Sequence, residues 1–176
     1  MTNFLSGAKG SWIWLVIRLY LGYQWLNAGW HKVTGAAPFD ATGFIKGAIA
    51  KATPATAGAK PVVQAWWADF LQGVALPNSK LFSFMVQYGE LLIGLALILG
   101  FATLFAASMG MLMNFAFLLS GTTSSNPNLL FLEIVLVTLG GAYAGYLGLD
   151  YWVRPLFRNF LARLFNKGDS TAAHAA

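Results

Sequence analysis

Three charged side chains, Arg18, Glu90 and Glu133, interrupt long apolar runs of the sequence. At a bilayer centre each costs at least ~2.5 kcal/mol unless it snorkels, pairs, or handles an ion or a proton. Counting ~1.5 Å per residue from the nearer ends of their runs puts Arg18 about 10 Å deep and Glu90 about 13 Å deep, so the two are a candidate ion pair. Such a pair would either fix helix packing or serve anion binding or proton movement. The same count puts Gln24 and Asn114 roughly 19 Å and Glu133 roughly 24 Å from that side, where a polar cluster is expected. His31, where the first run ends, could exchange a proton or simply hydrogen-bond at an interface.

Helical spacing sorts these residues onto faces. On the first run Tyr20, Gln24, Asn27 and His31 form one stripe, and Arg18, Gly22, Trp25, Gly29 and Lys32 a second. Ser83, Gln87, Glu90 and Gly94 share a face of the next run, and Thr103, Gly110, Asn114 and Phe117 share one of the third. Glu133 aligns with Val137, Gly140 and Ala144, whose small side chains allow close packing.

The elements that must hold these groups follow from composition. The chain has 176 residues, 57% hydrophobic and only 10% charged, with a mean hydropathy of +0.61, far from the balance of a soluble domain. Four spans are expected at 12–31, 81–99, 101–120 and 129–149, each close to the ~20 residues that cross a bilayer. The second and third are separated by a tight turn at Leu99-Gly100-Phe101-Ala102-Thr103, and the fourth opens at Ser125-Asn126-Pro127-Asn128. The fold expected is an all-α membrane protein, a four-helix transmembrane bundle with a long loop between helices 1 and 2.

The loop's first half, rich in Ala, Gly, Lys, Thr and Pro, reads as mobile. In its second half Val63, Trp66, Trp67 and Phe70 fall at helical spacing behind Pro61, which predicts an amphipathic interfacial helix over 61–72. Folded over the bundle mouth, Trp66 and Trp67 would form an aromatic lid and bring Asp69 to the polar cluster. A single domain over 1–167 and a disordered tail over 168–176 are expected. Arg154, Arg158, Arg163 and Lys167 lie next to the last span, which places both termini on the cytoplasmic side.

Several chemistries are excluded. Cysteine is absent, which removes disulfides, thiolate metal sites and cysteine nucleophiles. The only histidines are His31 and His174, so an intramembrane bis-histidine haem is not expected, and no flavin or metal motif is evident. Neither a Walker loop nor a dinucleotide fingerprint occurs. The net charge of +5 sits in a loop and a tail beside apolar runs, which fits topology and anionic lipid rather than nucleic acid.

The sequence resembles the DoxX/DoxD family. The resemblance rests on Arg18-Leu-Tyr-Leu-Gly22, Ala28-Gly29-Trp-His-Lys32, Trp66-Trp67-Ala-Asp69-Phe70, Leu76-Pro77-Asn78, Gly89-Glu90-Leu-Leu-Ile-Gly94, Leu99-Gly100, Met113-Asn114, Gly121-Thr-Thr-Ser-Ser-Asn126-Pro127 and Gly148-Leu149-Asp150. It implies a prokaryotic multi-pass cell-membrane protein similar to the large subunit of a quinone-linked thiosulfate dehydrogenase. Thiosulfate would be oxidised to tetrathionate and quinone would be the electron acceptor. A small companion subunit is implied as a partner, and self-association stays open.

On that reading Arg18, Glu90, His31 and Glu133 are the candidate catalytic residues. Gln24, Trp25, Asn27, Lys32, Trp66, Trp67, Asp69 and Asn114 are the candidates for binding quinone or thiosulfate. Thiosulfate or another small anion needs cationic or N–H donors, and quinone reduction needs proton carriers and aromatic walls. The alternatives are a non-enzymatic anchor or assembly subunit of a redox complex, or a small-solute transporter. Four unbroken spans without an internal repeat speak against transport by inverted repeats.

Overall fold

The computed structural model describes residues 7–158 except 55 and 57; Arg163, Lys167 and the tail expected over 168–176, with His174, lie outside the described residues. Among the described residues every regular element is helical. After a single 3-10 turn the chain forms α1 (Ser11–Thr34), α2 (Thr42–Ala50), α3 (Ala65–Phe70), α4 (Ser79–Leu99), α5 (Thr103–Leu119) and α6 (Asn126–Val135). A seventh helix, α7, begins at 150 and continues to 158.

Two segments, Ser79–Leu99 and Asn126–Gly145, are long and apolar enough to cross a membrane. α5 is equally apolar but has 17 residues. α1 has 24 residues and is less apolar because it carries Arg18, Gln24, Asn27, His31 and Lys32.

The register of α1 against α4 is set by glycine. A Cβ on Gly22 would lie 3.1 Å from the Gly94 carbonyl oxygen, and one on Gly29 would lie 2.8 Å from Leu91 Cα. A Cβ on Gly94 would press on Leu26 in return. The two helices are therefore antiparallel and nearly in backbone contact, as small residues permit. Trp14, Leu21 and Trp25 of α1, Ile93 and Leu97 of α4, Ala106 and Ala107 of α5, and Leu129, Leu136 and Ala144 along the last segment close one common core.

The α4–α5 turn forms where expected, with Gly100 left-handed at φ 65° and Ala102 at φ 45°. The last segment departs from the expected 129–149 span. It starts earlier, at Asn126 with Pro127 in its first turn, and is α-helical only to Val135. It then runs as a π-helix over Leu136–Gly140 and a 3-10 helix over Gly141–Gly145, with Gly141 at φ 48°. The adjacent glycines permit this change of pitch, and the unbroken-span argument against transport is lost with it.

The long loop also differs from its expected form. The half read as mobile contains α2, whose Ile45 and Ala48 pack with Ala41, Leu71 and Ala75 into a second small core. The helix expected over 61–72 starts later, at Ala65, and passes through a π turn over Leu71–Ala75. Pro61 does not start it, because Val62 and Val63 donate their backbone N–H groups to the Lys51 carbonyl at 3.1 and 3.3 Å and bend the chain there, and Gln64 is extended at φ -71° and ψ 145° just before the helix. α2 and α3 together make a cap.

Candidate functional site

Where the cap meets α1, α4 and α5 it leaves a cavity of about 370 Å³. Its walls are mostly aromatic and aliphatic: Phe39, Phe44, Ile45, Trp67, Phe70 and Leu71 from the cap, Phe82 and Val86 from α4, Ala116 and Phe117 from α5. Trp67 and Phe70 stack at 5.1 Å, and Phe70 meets Phe82 edge-on at 6.4 Å. Among these walls lies one ion pair, Lys32 Nζ to Glu90 Oε2 at 2.5 Å.

The pair is asymmetric in exposure, 26% for the Lys32 side chain against 4% for Glu90. The Lys32 ammonium also donates to the Ala28 carbonyl at 3.5 Å and lies 5.5 Å from the Phe39 ring centroid. Phe82, Val86 and Glu90 follow one another at intervals of four along α4, so one face of that helix supplies both apolar wall and carboxylate.

Three side-chain hydrogen bonds tie the cap down. Trp67 Nε1–H donates to Ser120 Oγ at 2.9 Å, Lys51 Nζ donates to the Gly121 carbonyl at 3.0 Å, and the Ala41 N–H donates to Ser83 Oγ at 2.9 Å. At the cap's beginning Asp40 Oδ1 accepts from the Thr42 hydroxyl at 2.6 Å and from its N–H at 2.8 Å. Those two bonds, hydroxyl first, hold the exposed Asp40 carboxyl below its ordinary pKa.

A second polar group lies in the bundle interior. Glu133, fully buried, accepts from Trp25 Nε1–H at 2.6 Å and from Asn114 Nδ2 at 2.9 Å. Gly110 makes room for it, since a Cβ there would lie 3.1 Å from the Glu133 carboxyl carbon. The cluster expected in this region thus forms from Trp25, Asn114 and Glu133, without Gln24.

Arg18 sits apart from both. Its guanidinium donates to the Leu147 carbonyl at 2.7 Å and to the Ala144 carbonyl at 3.4 Å, beside the Gly100 turn. Asp150 lies in the same region and accepts from the Ala102 and Thr103 N–H groups at 2.7 and 3.0 Å, with Arg154 at 3.4 Å. The expected Arg18–Glu90 pair does not form. Gly29 lies opposite Glu90 while Arg18 is level with Gly100, so eleven residues of α1 separate the two depths. Counting depth from run ends failed because the first two turns of α1 extend past the α4–α5 turn.

Of the twelve candidate site residues, Lys32, Glu90 and Trp67 line the cavity. His31, Asn27, Trp66 and Asp69 are exposed and Gln24 is half-buried; none of the five lines it. Trp66 turns outward, donating Nε1–H to Gln64 Oε1 at 2.6 Å. None of Phe39, Phe44, Phe82 and Phe117 was among the candidate site residues; the usable signal was aromatic residues in an otherwise small-residue loop and the repeated four-residue step Phe82, Val86, Glu90 along α4. Among the described residues no group of three or more His, Asp or Glu side chains could hold a metal ion.

The model of the DoxX family matches residues 13–123. The chain belongs to the DoxX family. No curated protein and no solved structure matches it. DoxX proteins are typically membrane proteins, in keeping with the apolar helices of this one. The matched stretch takes in α1 to α5 and the cap, and so every wall residue of the cavity except Ser124 and Asn126 at its edge. Glu133 and Asp150 of this DoxX chain fall beyond it.

Proposed function

We propose that this DoxX chain is a four-span protein of the prokaryotic cell membrane, acting as a quinone-linked oxidoreductase subunit with its quinone head group held between the cap and the bundle. The carrying observation is the cavity: about 370 Å³, walled by aromatic and aliphatic side chains, with one ion pair whose carboxylate is buried and whose ammonium is part-exposed. That volume lies in the ~300–1,000 Å³ range of small-molecule pockets, which join apolar walls to a few polar groups. α1 and α5, although less apolar or shorter than the other two, share the common core and would complete the four spans.

The residues present fit such a head group. Trp67 and Phe70 offer ring faces for stacking, and Lys32 Nζ, with three N–H donors, has one beyond Glu90 and Ala28 to give a carbonyl oxygen. Glu90, in contact with Lys32, is the group placed to hold or pass a proton. A bound quinone supplies a two-electron acceptor that takes up two protons as it is reduced to quinol. In the thiosulfate reaction two thiosulfate ions couple to tetrathionate and release those two electrons.

Thiosulfate itself fits the cavity less well. Arg18 is spent on backbone carbonyls and Lys32 on Glu90, so a dianion finds no unpaired cation on the cavity wall. The sulfur site is therefore assigned to a companion subunit. The two ends of the described chain lie together, since Arg18 bonds to Ala144 and Leu147, and Arg154 and Arg158 are on that side. This supports a cytoplasmic placement for both termini.

A second reading, an anchor or assembly subunit without activity, is favoured by the structural partners of Arg18, Glu133 and Asp150. The test is quinone reduction by the chain in nanodiscs, alone and with its companion subunit, with thiosulfate as donor and ultraviolet absorbance as readout. The oxidoreductase reading expects quinone-dependent turnover that falls at least tenfold in a folded Glu90→Gln variant. Folded protein that binds no quinone and turns none over supports the anchor instead.

A further inference from the structure

The two stripes of α1 have different surroundings. Arg18, Gly22, Trp25 and Gly29 are buried against the bundle, whereas on the opposite side Val16, Tyr20, Tyr23, Asn27, Trp30 and Thr34 are all exposed. These six follow one another at steps of four, three, four, three and four, the spacing of a seam between two helices that coil around each other. Gln24 and His31 lie along its edge.

Asn27 is the residue of that seam that lipid cannot satisfy. α1 and α4 pack with Leu26 at Gly94 and Gly29 at Leu91, which puts Asn27 level with Ile93. Four helical steps, about 6 Å, separate that level from the midpoint of α4, so the amide lies well inside a ~30 Å hydrocarbon core. Thr34, Ser83, Ser108, Ser120 and Thr138 return their hydroxyls to the carbonyl four residues earlier. The Asn27 amide does not, and it has no partner among the described residues. An amide without hydrogen bonds is costly in hydrocarbon, so this face calls for a partner that brings a hydrogen-bonding group to the same depth.

A second copy of the chain brings one by construction. Copies of one chain insert the same way round, so a two-fold axis along the membrane normal sets α1 parallel to its copy and each residue level with itself. An amide both donates and accepts, so Asn27 satisfies its own copy. A lone asparagine at such a core position of a parallel pair also fixes the register and the number of strands. Resting on the four-span part of the reading above and not on quinone, we propose that two copies of this chain pair through the exposed seam of α1, with Asn27 hydrogen-bonded to Asn27 near the middle of the bilayer. The cavity is untouched, because none of the six seam residues lines it.

The chain has no cysteine, so a disulfide forms only where a thiol is introduced. Tyr20→Cys and Asn27→Cys, oxidised with copper phenanthroline in the membranes in which the full chain is expressed, should give a linked species of twice the chain's mass. Leu92→Cys on α4 and Phe105→Cys on α5, equally exposed to lipid, should not. Sedimentation equilibrium in density-matched micelles should show Asn27→Leu raising the dimer Kd about tenfold, the ~1.4 kcal/mol expected of an amide contact between membrane helices, and Asn27→Gln staying within about twofold of wild type. Equal cross-linking at the α4 and α5 positions, a linked species of any other mass, or a Kd that Asn27→Leu leaves unchanged overturns the seam. A chain that an alkaline carbonate wash releases from the membrane overturns the four-span reading itself, and one that stays but is monomeric overturns the seam alone.

Discussion

Breaking the cavity's ion pair from its two ends should have unequal costs. Glu90 is 3% exposed, and its partner Lys32 has 26% of its side chain exposed. Lys32→Met keeps the apolar stem but leaves a buried carboxylate without its cation, a loss of about 3–5 kcal/mol for a buried pair broken on one side. Glu90→Gln leaves the ammonium free to turn toward solvent, so it forfeits only the charge-assisted hydrogen bond, about 1.5–3 kcal/mol. The double variant removes the stranded charge and should recover ~2 kcal/mol or more of the Lys32→Met loss. The assay is unfolding of the four proteins in mixed dodecyl sulfate micelles, followed by far-ultraviolet circular dichroism and read as a double-mutant cycle. The reasoning is refuted if Lys32→Met is no more costly than Glu90→Gln, or if the double variant equals the sum of the singles.

Other consequences of the structure can be measured in the same way. Gly29→Ala and Gly94→Ala each push a Cβ into facing backbone, Leu91 and Leu26 respectively, and should lose about 1–3 kcal/mol in the same titration. Asp150→Ala strips two N–H groups at the start of α5 of their acceptor and should cost about 2 kcal/mol or more, with Arg154→Ala nearly neutral by comparison. Trp25→Phe removes one of two donors to Glu133 and should lose about 1.5–3 kcal/mol, while leaving quinone binding at the cavity unchanged. Asp40 has a folded pKa below its ordinary value of 3.8, so its contribution is present above that value and lost as the pH falls through the folded one. The protection of the amides at the start of α2, measured against their intrinsic exchange rates at each pH, should therefore fall in acid in the wild type and stay constant in Asp40→Asn.

Single residues show how far the sequence could be read. Glu90, Lys32 and Trp67 could be picked out because a charge or a paired indole next to an apolar run is costly to place and so marks a site. The Gly100 turn was legible because glycine at a left-handed position leaves a local signature. The pairing of Glu90 with Lys32 instead of Arg18 was not legible. It depends on the α1–α4 register, which Gly22, Gly29 and Gly94 fix by contact across helices rather than by spacing within one. The cap was hidden for a similar reason: α2 is held by Ile45 and Ala48 against Leu71 and Ala75, some twenty-five residues away, and by Ser83 of α4 and Gly121 in the turn after α5. The cavity exists only once that long-range packing is made. The break after Val135 was likewise invisible, since the Gly140-Gly141 pair also reads as ordinary small-residue packing.

The central claim is that the space between the cap and the bundle holds a quinone head group. Photolabelling with an azido-quinone, followed by peptide mapping of the wild-type chain in nanodiscs, tests it most directly. The account predicts adducts on the segments carrying Trp67, Phe70, Phe82 and Phe117, competed away by unmodified quinone. Labelling confined to α6, or spread over the lipid-facing surface and unaffected by competitor, would contradict it.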